Sequence, residues 1–255
     1  HRLLISVDQT LKPLPFSALQ NSEGRYLGER FDLATSLQTS SPVFSTTPPL
    51  AEVSCLHYVS LTSDREMMCE SLRERVSREL GEQGVRPISV DDWLMMMAPN
   101  RDPQVSGEEP LAQSMVILDA EISETGIGFR DPKRDQGDIS AEDHLQHIIQ
   151  TLVSLQVNTC VLTQSVSPFV VHDKTLRALL TSVYSGLIHC RWHSQAHLDL
   201  LGYLVEQLAS SPTLSSVMSA MRRTREYAIQ HRYALHHWAA LELYISEGQL
   251  NADRS

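Results

Sequence analysis

The sequence is poor in cysteine, and its cysteines form no motif. The four cysteines, Cys55, Cys69, Cys160 and Cys190, lie far apart without Cys-x-x-Cys spacing, and each lies in an apolar segment. A disulfide framework or a zinc site of the Cys-x-x-Cys type needs closer, regular spacing. The pattern therefore predicts buried, reduced thiols, as in a cytosolic protein.

Signals for membranes, nucleic acids and phosphate cofactors are also missing. No stretch is long and apolar enough to span a bilayer, and the N-terminus lacks the layout of a secretory signal. The net charge is −10, and there is no long basic run that would neutralise nucleic-acid phosphates. We interpret the short cluster of Arg222, Arg223 and Arg225 as a solvated helix face. With no glycine-rich phosphate loop, we expect no membrane, nucleic-acid or cofactor partner.

What the chain does have is an alternation of apolar runs and amphipathic segments. At 255 residues and 42 % hydrophobic, it can bury one sizeable core. The apolar run at 159–166, stopped by Pro168, predicts a buried strand. A capped helix at 140–155 precedes this strand, and a helix that begins at Asp173 and stops at Gly186 follows it. Strands alternating with helices indicate an α/β fold with a mostly parallel sheet.

The opening residues follow a dense and ordered pattern. An apolar strand at 2–7 is followed by Asp8 and by Leu-Pro-Phe-Ser-Ala-Leu at 14–19. A turn at 21–24 then leads into Gly-Arg-Tyr-Leu-Gly-Glu-Arg at 24–30, and we interpret 25–33 as another short extended piece. This order resembles the opening of the CHAT domain, a caspase-related module often carried behind tetratricopeptide repeats.

Later segments are similar to the rest of that domain. Ser114 opens an apolar strand that is followed by an acidic loop at 119–138, and the segment 236–244 resembles the family's closing His-x-x-Trp-Ala strand. The resemblance implies a caspase-like three-layer α/β sandwich with a mostly parallel central sheet and helices on both faces. We expect a single CHAT-like domain at 1–246 and a C-terminal tail at 247–255.

The resemblance also assigns the positions of a catalytic dyad. In CHAT peptidases the cysteine nucleophile follows Leu-Ser-Ala, and the histidine precedes a glycine at the end of a neighbouring strand. These positions fall here on Ser165 and on Ala98 or Pro99, and no histidine lies between His57 and His144. A serine without an imidazole lacks a base whose help is worth about 10²–10⁴-fold in rate. The resemblance therefore implies a degenerate dyad.

Two alternatives stay open. The chain would be an active cysteine or serine peptidase if Cys160 worked with His57, or Ser165 with a base that the pattern does not reveal. His57, however, comes one strand–helix unit too early. His193 and His197 lie four residues apart and would share a helix face, as zinc ligands do, but no glutamate follows His193 for zincin chemistry.

Taken together, these features predict a non-catalytic module that binds a peptide or protein, or that regulates a larger cytoplasmic protein. The partner is expected to be a protein or peptide, including other domains of the same polypeptide. Because the first residues lead straight into a strand, we expect a domain cut from a longer chain. We expect no cofactor and no metal.

Overall fold

A computed structural model of the chain describes residues 1–6, 11, 14–37, 55–60, 69–75, 84–89, 114–123, 126–128, 141–155, 157–165, 173–183, 186–190, 196–209 and 214–246. These residues form an α/β three-layer sandwich, in which one mixed, mostly parallel sheet lies between two layers of helices. This confirms the fold class that the sequence predicts.

The sheet contains nine strands within the described ranges. They are β1 (Arg2–Ile5), β2 (Asp32–Leu37), β3 (Cys55–Ser60), β4 (Val85–Ser89), β5 (Ser114–Ser123), β6 (Gly126–Gly128), β7 (Thr159–Ser165), β8 (Gly186–Cys190) and β9 (Leu241–Ser246). Their order is β1-β2-β9-β8-β7-β5-β3-β4, and β6 pairs with β5. The pairing is parallel except between β8 and β9 and between β5 and β6.

The helices are short to medium in length. They are α1 (Leu27–Arg30), α2 (helical residues 69–75), α3 (Ala141–Ser154), α4 (Asp173–Leu180), α5 (Ala196–Ala209), α6 (Leu214–Gln230) and α7 (Leu235–Trp238). A single 3₁₀ turn occupies Phe16–Ala18. Among the described helices, none is long and apolar enough to cross a lipid bilayer.

The two faces of the sheet are covered by different helices. Helices α2, α5 and α6 contribute to the core on one face, and α3 and α4 contribute to the core on the other. Along β5, Met115 and Ile117 pack on the α5–α6 face, whereas Val116 and Leu118 pack on the α3–α4 face. Because successive strand residues point to opposite faces, a strand buried on both sides is a continuous apolar run.

Several predicted elements are found where the sequence places them. The strand predicted at 159–166 is β7, the helix predicted at 140–155 is α3, and the turn at 21–24 is present. In that turn the Asn21 side chain accepts hydrogen bonds from the Glu23 and Arg25 amides, and Gly24 has a φ of 75°. The local hydrophobic periodicity and the residue types of the turn are sufficient to predict such elements.

Other boundaries were predicted wrongly. The acidic loop does not begin at residue 119, since β5 continues to Ser123 and turns back into β6. The helix after Asp173 ends at Leu180, and Gly186 is the first residue of β8 instead of a helix stop. The segment 25–33 is not extended throughout, because residues 27–30 form α1.

The closing segment at 236–244 also differs from its prediction as one strand. Its first part is the short helix α7, and β9 begins only at Leu241, where its pairing with Cys190 of β8 begins. Trp238 ends this helix and packs edge-on against Tyr26, with ring centroids 4.9 Å apart. The burial of this indole is a tertiary contact, which the apolar pattern of the segment does not encode.

Candidate functional site

The carboxyl ends of the parallel strands meet at one edge of the sheet. Strands β4, β3, β5, β7 and β8 run in one direction, so Ser60, Ser89, Ser165 and Cys190 all lie at this edge, which we call the carboxyl edge. Ligands and reactive side chains collect at such edges in open α/β sheets. Ser165 is the last residue of β7, and it is in register with Ile122 of β5.

Just inside the carboxyl edge, β7 and β5 are joined through their side chains. The Thr163 hydroxyl donates a hydrogen bond to Asp119 Oδ1 over 2.8 Å and lies 3.4 Å from the Leu118 carbonyl oxygen. The register of the two strands shifts between Leu118 and Glu121. Irregularities of this kind re-aim side chains near the ends of strands. The pairing fixes the relative position of the two strand ends.

A partner for Ser165 on a paired strand would have to come from β5 or β8, because β7 lies between these two strands. The terminal residues 119–123 of β5 contain aspartate and glutamate but no histidine. His189 of β8 is in register with Leu162, three residues before Ser165, and its side chain is buried. Ala98 and Pro99 lie outside the described residues, as do the Ser165 side chain, His193 and the side chain of His197. The predicted loss of the dyad and the alternative zinc pair therefore stay predictions.

The structure does place Cys160 and His57, the residues of the alternative peptidase. His57 of β3 pairs with Val116 of β5, and Val116 pairs with Cys160 of β7. The two residues thus lie in one row of the sheet, two strand spacings or about 10 Å apart. Val116 lies between them. This row lies in the interior of the sheet rather than at its carboxyl edge, and both side chains are buried.

The surroundings of both groups disfavour their charged forms. Burial raises the pKa of the Cys160 thiol far above its usual value, because a thiolate there would lose its contact with water. Burial, with a smaller effect of the Arg86 charge, lowers the pKa of His57 to about 4. Cys160 is thus a neutral thiol and His57 a neutral imidazole, whereas a peptidase dyad needs the thiolate.

The lowered pKa of His57 predicts acid-sensitive stability. The folded value is about 4 and the reference value 6.5, so the unfolded chain binds the proton more tightly. Stability is fully present above pH 6.5 and falls as pH drops towards 4, by about 3 kcal/mol. We expect His57→Leu to flatten this part of the pH profile, measured by urea unfolding from pH 7.5 to 4.5.

The parent protein above pH 6.5 provides the reference for that experiment, because the contribution of His57 to stability is complete there. A His57→Leu protein that loses stability as steeply as the parent between pH 6.5 and 4.5 would contradict the assignment.

Sequence reasoning missed the most unusual polar residue of the described structure. Arg225, which was assigned to a solvated helix face, is only 2 % exposed. Its Nη2 donates to the Leu241 carbonyl oxygen over 3.0 Å. Of its two predicted companions, Arg223 is exposed and bonds Gln207, and Arg222 is partly buried. The sequence does contain a signal for the burial of Arg225, because position 225 falls in the series 218, 221, 225 and 228, which lies on the apolar face of α6.

Beside Arg225 lies a buried polar group on the β8–β9 pair. The Tyr244 hydroxyl donates to Glu242 Oε2 over 2.6 Å, and Glu242 is in register with His189 of β8. The negative charge of Glu242 raises the pKa of Arg225, but burial has the larger effect and lowers that pKa to about 10. Arg225 thus remains a cation at neutral pH.

Comparisons with known proteins do not assign this chain to a family. Neither the models of known protein families nor the curated proteins gave a match. Within the described ranges, no cluster of three or more histidine, cysteine, aspartate or glutamate side chains is arranged to hold a metal ion. The class that the coordinates define is an α/β three-layer sandwich with a mostly parallel sheet.

Proposed function

We propose that this chain is a CHAT-like, caspase-related domain that has lost its cysteine–histidine dyad and acts as a binding or regulatory module. The observation that carries the proposal is the composition of two neighbouring strand ends. Strand β7 ends in Ser165, and residues 119–123 of the adjacent β5 contain no histidine. Nucleophilic hydrolysis of a peptide needs an activated nucleophile and a base within hydrogen-bond reach of it.

The state of the described cysteines supports the same proposal. Cys69, Cys160 and Cys190 are buried, and burial raises the pKa of Cys190 to about 12. Reactive cysteines lie in partly exposed, electropositive surroundings that lower their pKa. Cys160 and Cys190 are instead fully buried, and burial raises the pKa of both thiols, which supports a structural role. Buried thiols also fit the cytoplasmic location that the proposal includes.

The partner in this proposal is a peptide or protein, including another domain of the same polypeptide. It would occupy the carboxyl edge near Ser165 without being cut. The net charge of −10 favours basic partners at long range, because the summed field of the surface steers approach. The effect on encounter rates should weaken with added salt.

Thiol labelling tests the loss of catalysis. We expect iodoacetamide to modify Cys160 and Cys190 in the folded protein at least about 100-fold more slowly than in the urea-unfolded chain, because both must be uncovered first. A peptidyl chloromethyl ketone should label neither faster than iodoacetamide does. The modified residue is assigned by mass spectrometry, with Cys160→Ser as the reference.

The active-enzyme alternative predicts a different pattern. Stoichiometric labelling of Cys160 by the peptidyl reagent, abolished in His57→Ala while the fold persists, would establish a working dyad and refute the proposal. Equal and slow labelling in the parent and in His57→Ala is the expected result.

A further inference from the structure

The pairing of β2 with β9 does not extend to the first residues of either strand. Strand β2 begins at Asp32 and β9 at Leu241, yet the ladder between them begins only at Thr35 and Tyr244. The Arg225 side chain reaches this region from α6, where its Nη2 donates to the Leu241 carbonyl oxygen over 3.0 Å. One guanidinium nitrogen thus holds the start of β9.

The other two guanidinium nitrogens are buried donors. Arg225 is 2 % exposed, and among the described residues its Nε and Nη1 have no hydrogen-bond partner. The Ser17 hydroxyl is also buried and has no partner within the same ranges. Burying such groups without an acceptor is costly, so nearly all of them in native proteins bond to protein or to ordered water.

Arg225 and Ser17 approach each other beside Gly28. A Cβ added at Gly28 would lie 2.8 Å from Arg225 Cδ and 2.9 Å from Ser17 Cβ. Both side chains also line the same cavity, which we call the β2–β9 cavity. The two polar groups therefore lie near each other without a direct hydrogen bond. A water molecule can bridge two polar groups in this situation.

The size of the β2–β9 cavity matches one water molecule. Its volume is about 20 Å³, and a cavity needs about 10–15 Å³ to hold a water. The lining residues Ile5, Phe16 and Thr35 are only half-buried, so water can enter from the solvent. The interior therefore has room for a single water molecule between its polar side chains.

The charges of the lining favour a neutral ligand. Arg225 and Glu242 both line the cavity and have opposite charges. An anion bound to Arg225 would be repelled by Glu242, and a cation bound to Glu242 would be repelled by Arg225. Water has no net charge, and it both accepts and donates hydrogen bonds. Water therefore suits this lining better than an ion of either sign.

We propose that the β2–β9 cavity is a binding site for one ordered water molecule, which accepts hydrogen bonds from the Arg225 guanidinium and the Ser17 hydroxyl. The water connects the 3₁₀ turn at Phe16–Ala18 to α6 and, through the Arg225 bond to Leu241, to the start of β9. Leu241 is paired with Cys190, the last residue of β8, so this connection positions β9 at the carboxyl edge. The inference does not rest on the function proposed for that edge.

Crystals of the whole chain test this site directly. At a resolution that shows ordered water, we expect one peak within hydrogen-bond distance of both Ser17 Oγ and a guanidinium nitrogen of Arg225. A second crystal is soaked in sodium bromide and measured at the bromine absorption edge. We expect no anomalous peak in the cavity, because Glu242 repels an anion. A bromide peak there, or a cavity without ordered density, would overturn the proposal.

NMR tests the same water in solution. Rotating-frame cross-relaxation between the solvent signal and the Arg225 Hε proton separates a nearby bound water from chemical exchange, because the two effects have opposite signs. We expect the dipolar sign at the Arg225 Hε. A cross peak with the exchange sign, or no cross peak, would contradict a water held beside this guanidinium.

A matched pair of variants assigns the water to the cavity. Ser17→Ala removes one of its partners, and we expect its occupancy in the crystal to fall to about half or less, since a buried water is held by two to four polar contacts. Ser36→Ala is the control, because Ser36 is 7 % exposed but is not part of the lining. Equal occupancy in Ser17→Ala and the parent would refute the bridge. If Ser17→Ala does not fold, the two measurements on the parent protein still decide.

Discussion

Trp238→Ala is expected to lower the free energy of unfolding by about 4 kcal/mol, the usual loss when a buried tryptophan is truncated. Trp238 is 1 % exposed, belongs to the core on the α5–α6 face, and packs edge-on against Tyr26. The cavity left behind lies where α7 packs against α5 and α6, so neighbouring side chains can fill little of it. Guanidinium unfolding, followed by circular dichroism, measures the loss.

Leu235→Ala is the matched control for that substitution. Leu235 begins the same short helix, but it is 45 % exposed, so its truncation should change stability by no more than about 0.5 kcal/mol. If Trp238→Ala lowered the free energy of unfolding by less than about 1 kcal/mol, residues 235–238 could not pack against the core as they do in the structure. The closing segment would then fit the single strand that its sequence suggests.

Gly28→Val should cost more than about 3 kcal/mol, because it forces atoms into a space that is already filled. A Cβ at Gly28 would lie 2.8 Å from Arg225 Cδ, 2.9 Å from Ser17 Cβ and 3.0 Å from the Ser17 carbonyl oxygen. Arg225 is buried and cannot swing into solvent, and Ser17 contacts the site with its backbone. Gly28→Ala should fall between the parent and the valine variant.

Gly24→Ala separates crowding from backbone strain. Gly24 has a φ of 75° with nothing within 4 Å of an added Cβ, so alanine there should cost about 1 kcal/mol through its left-handed conformation alone. Equal losses at Gly24 and Gly28 would contradict the close approach to Arg225. Gly28→Ala should also shift the Arg225 Nε–Hε resonance in an NMR spectrum, whereas Gly24→Ala should not.

Much of the fold could be predicted because its signals are local. The apolar runs that became β5 and β7 and the amphipathic segment that became α3 need only the residues within a few positions of one another. The turn at Asn21–Gly24 is specified in the same way, by one side chain and one permissive glycine. The α/β class follows from the order of these elements.

The candidate site was less predictable, since it depends on which strands become neighbours. The resemblance puts the partner of Ser165 at Ala98 or Pro99, which lie outside the described residues, whereas the identity of β5 and β8 as the neighbours of β7 is known only from the sheet. It also gives no reason to expect His57 and Cys160 in one row of the sheet, because β5, which lies between them, comes from a third part of the chain.

The sequence alone determined the fold class, the elements α3 and β7, and the absence of any histidine between His57 and His144. Tertiary structure decided that Arg225 is a buried cation bonded to β9, although it was expected to be a solvated residue of α6. The physical reason is that helical periodicity identifies the face on which a side chain lies. Whether that face meets water or a packed sheet depends on strands such as β2 and β9, which are more than two hundred residues apart in the chain.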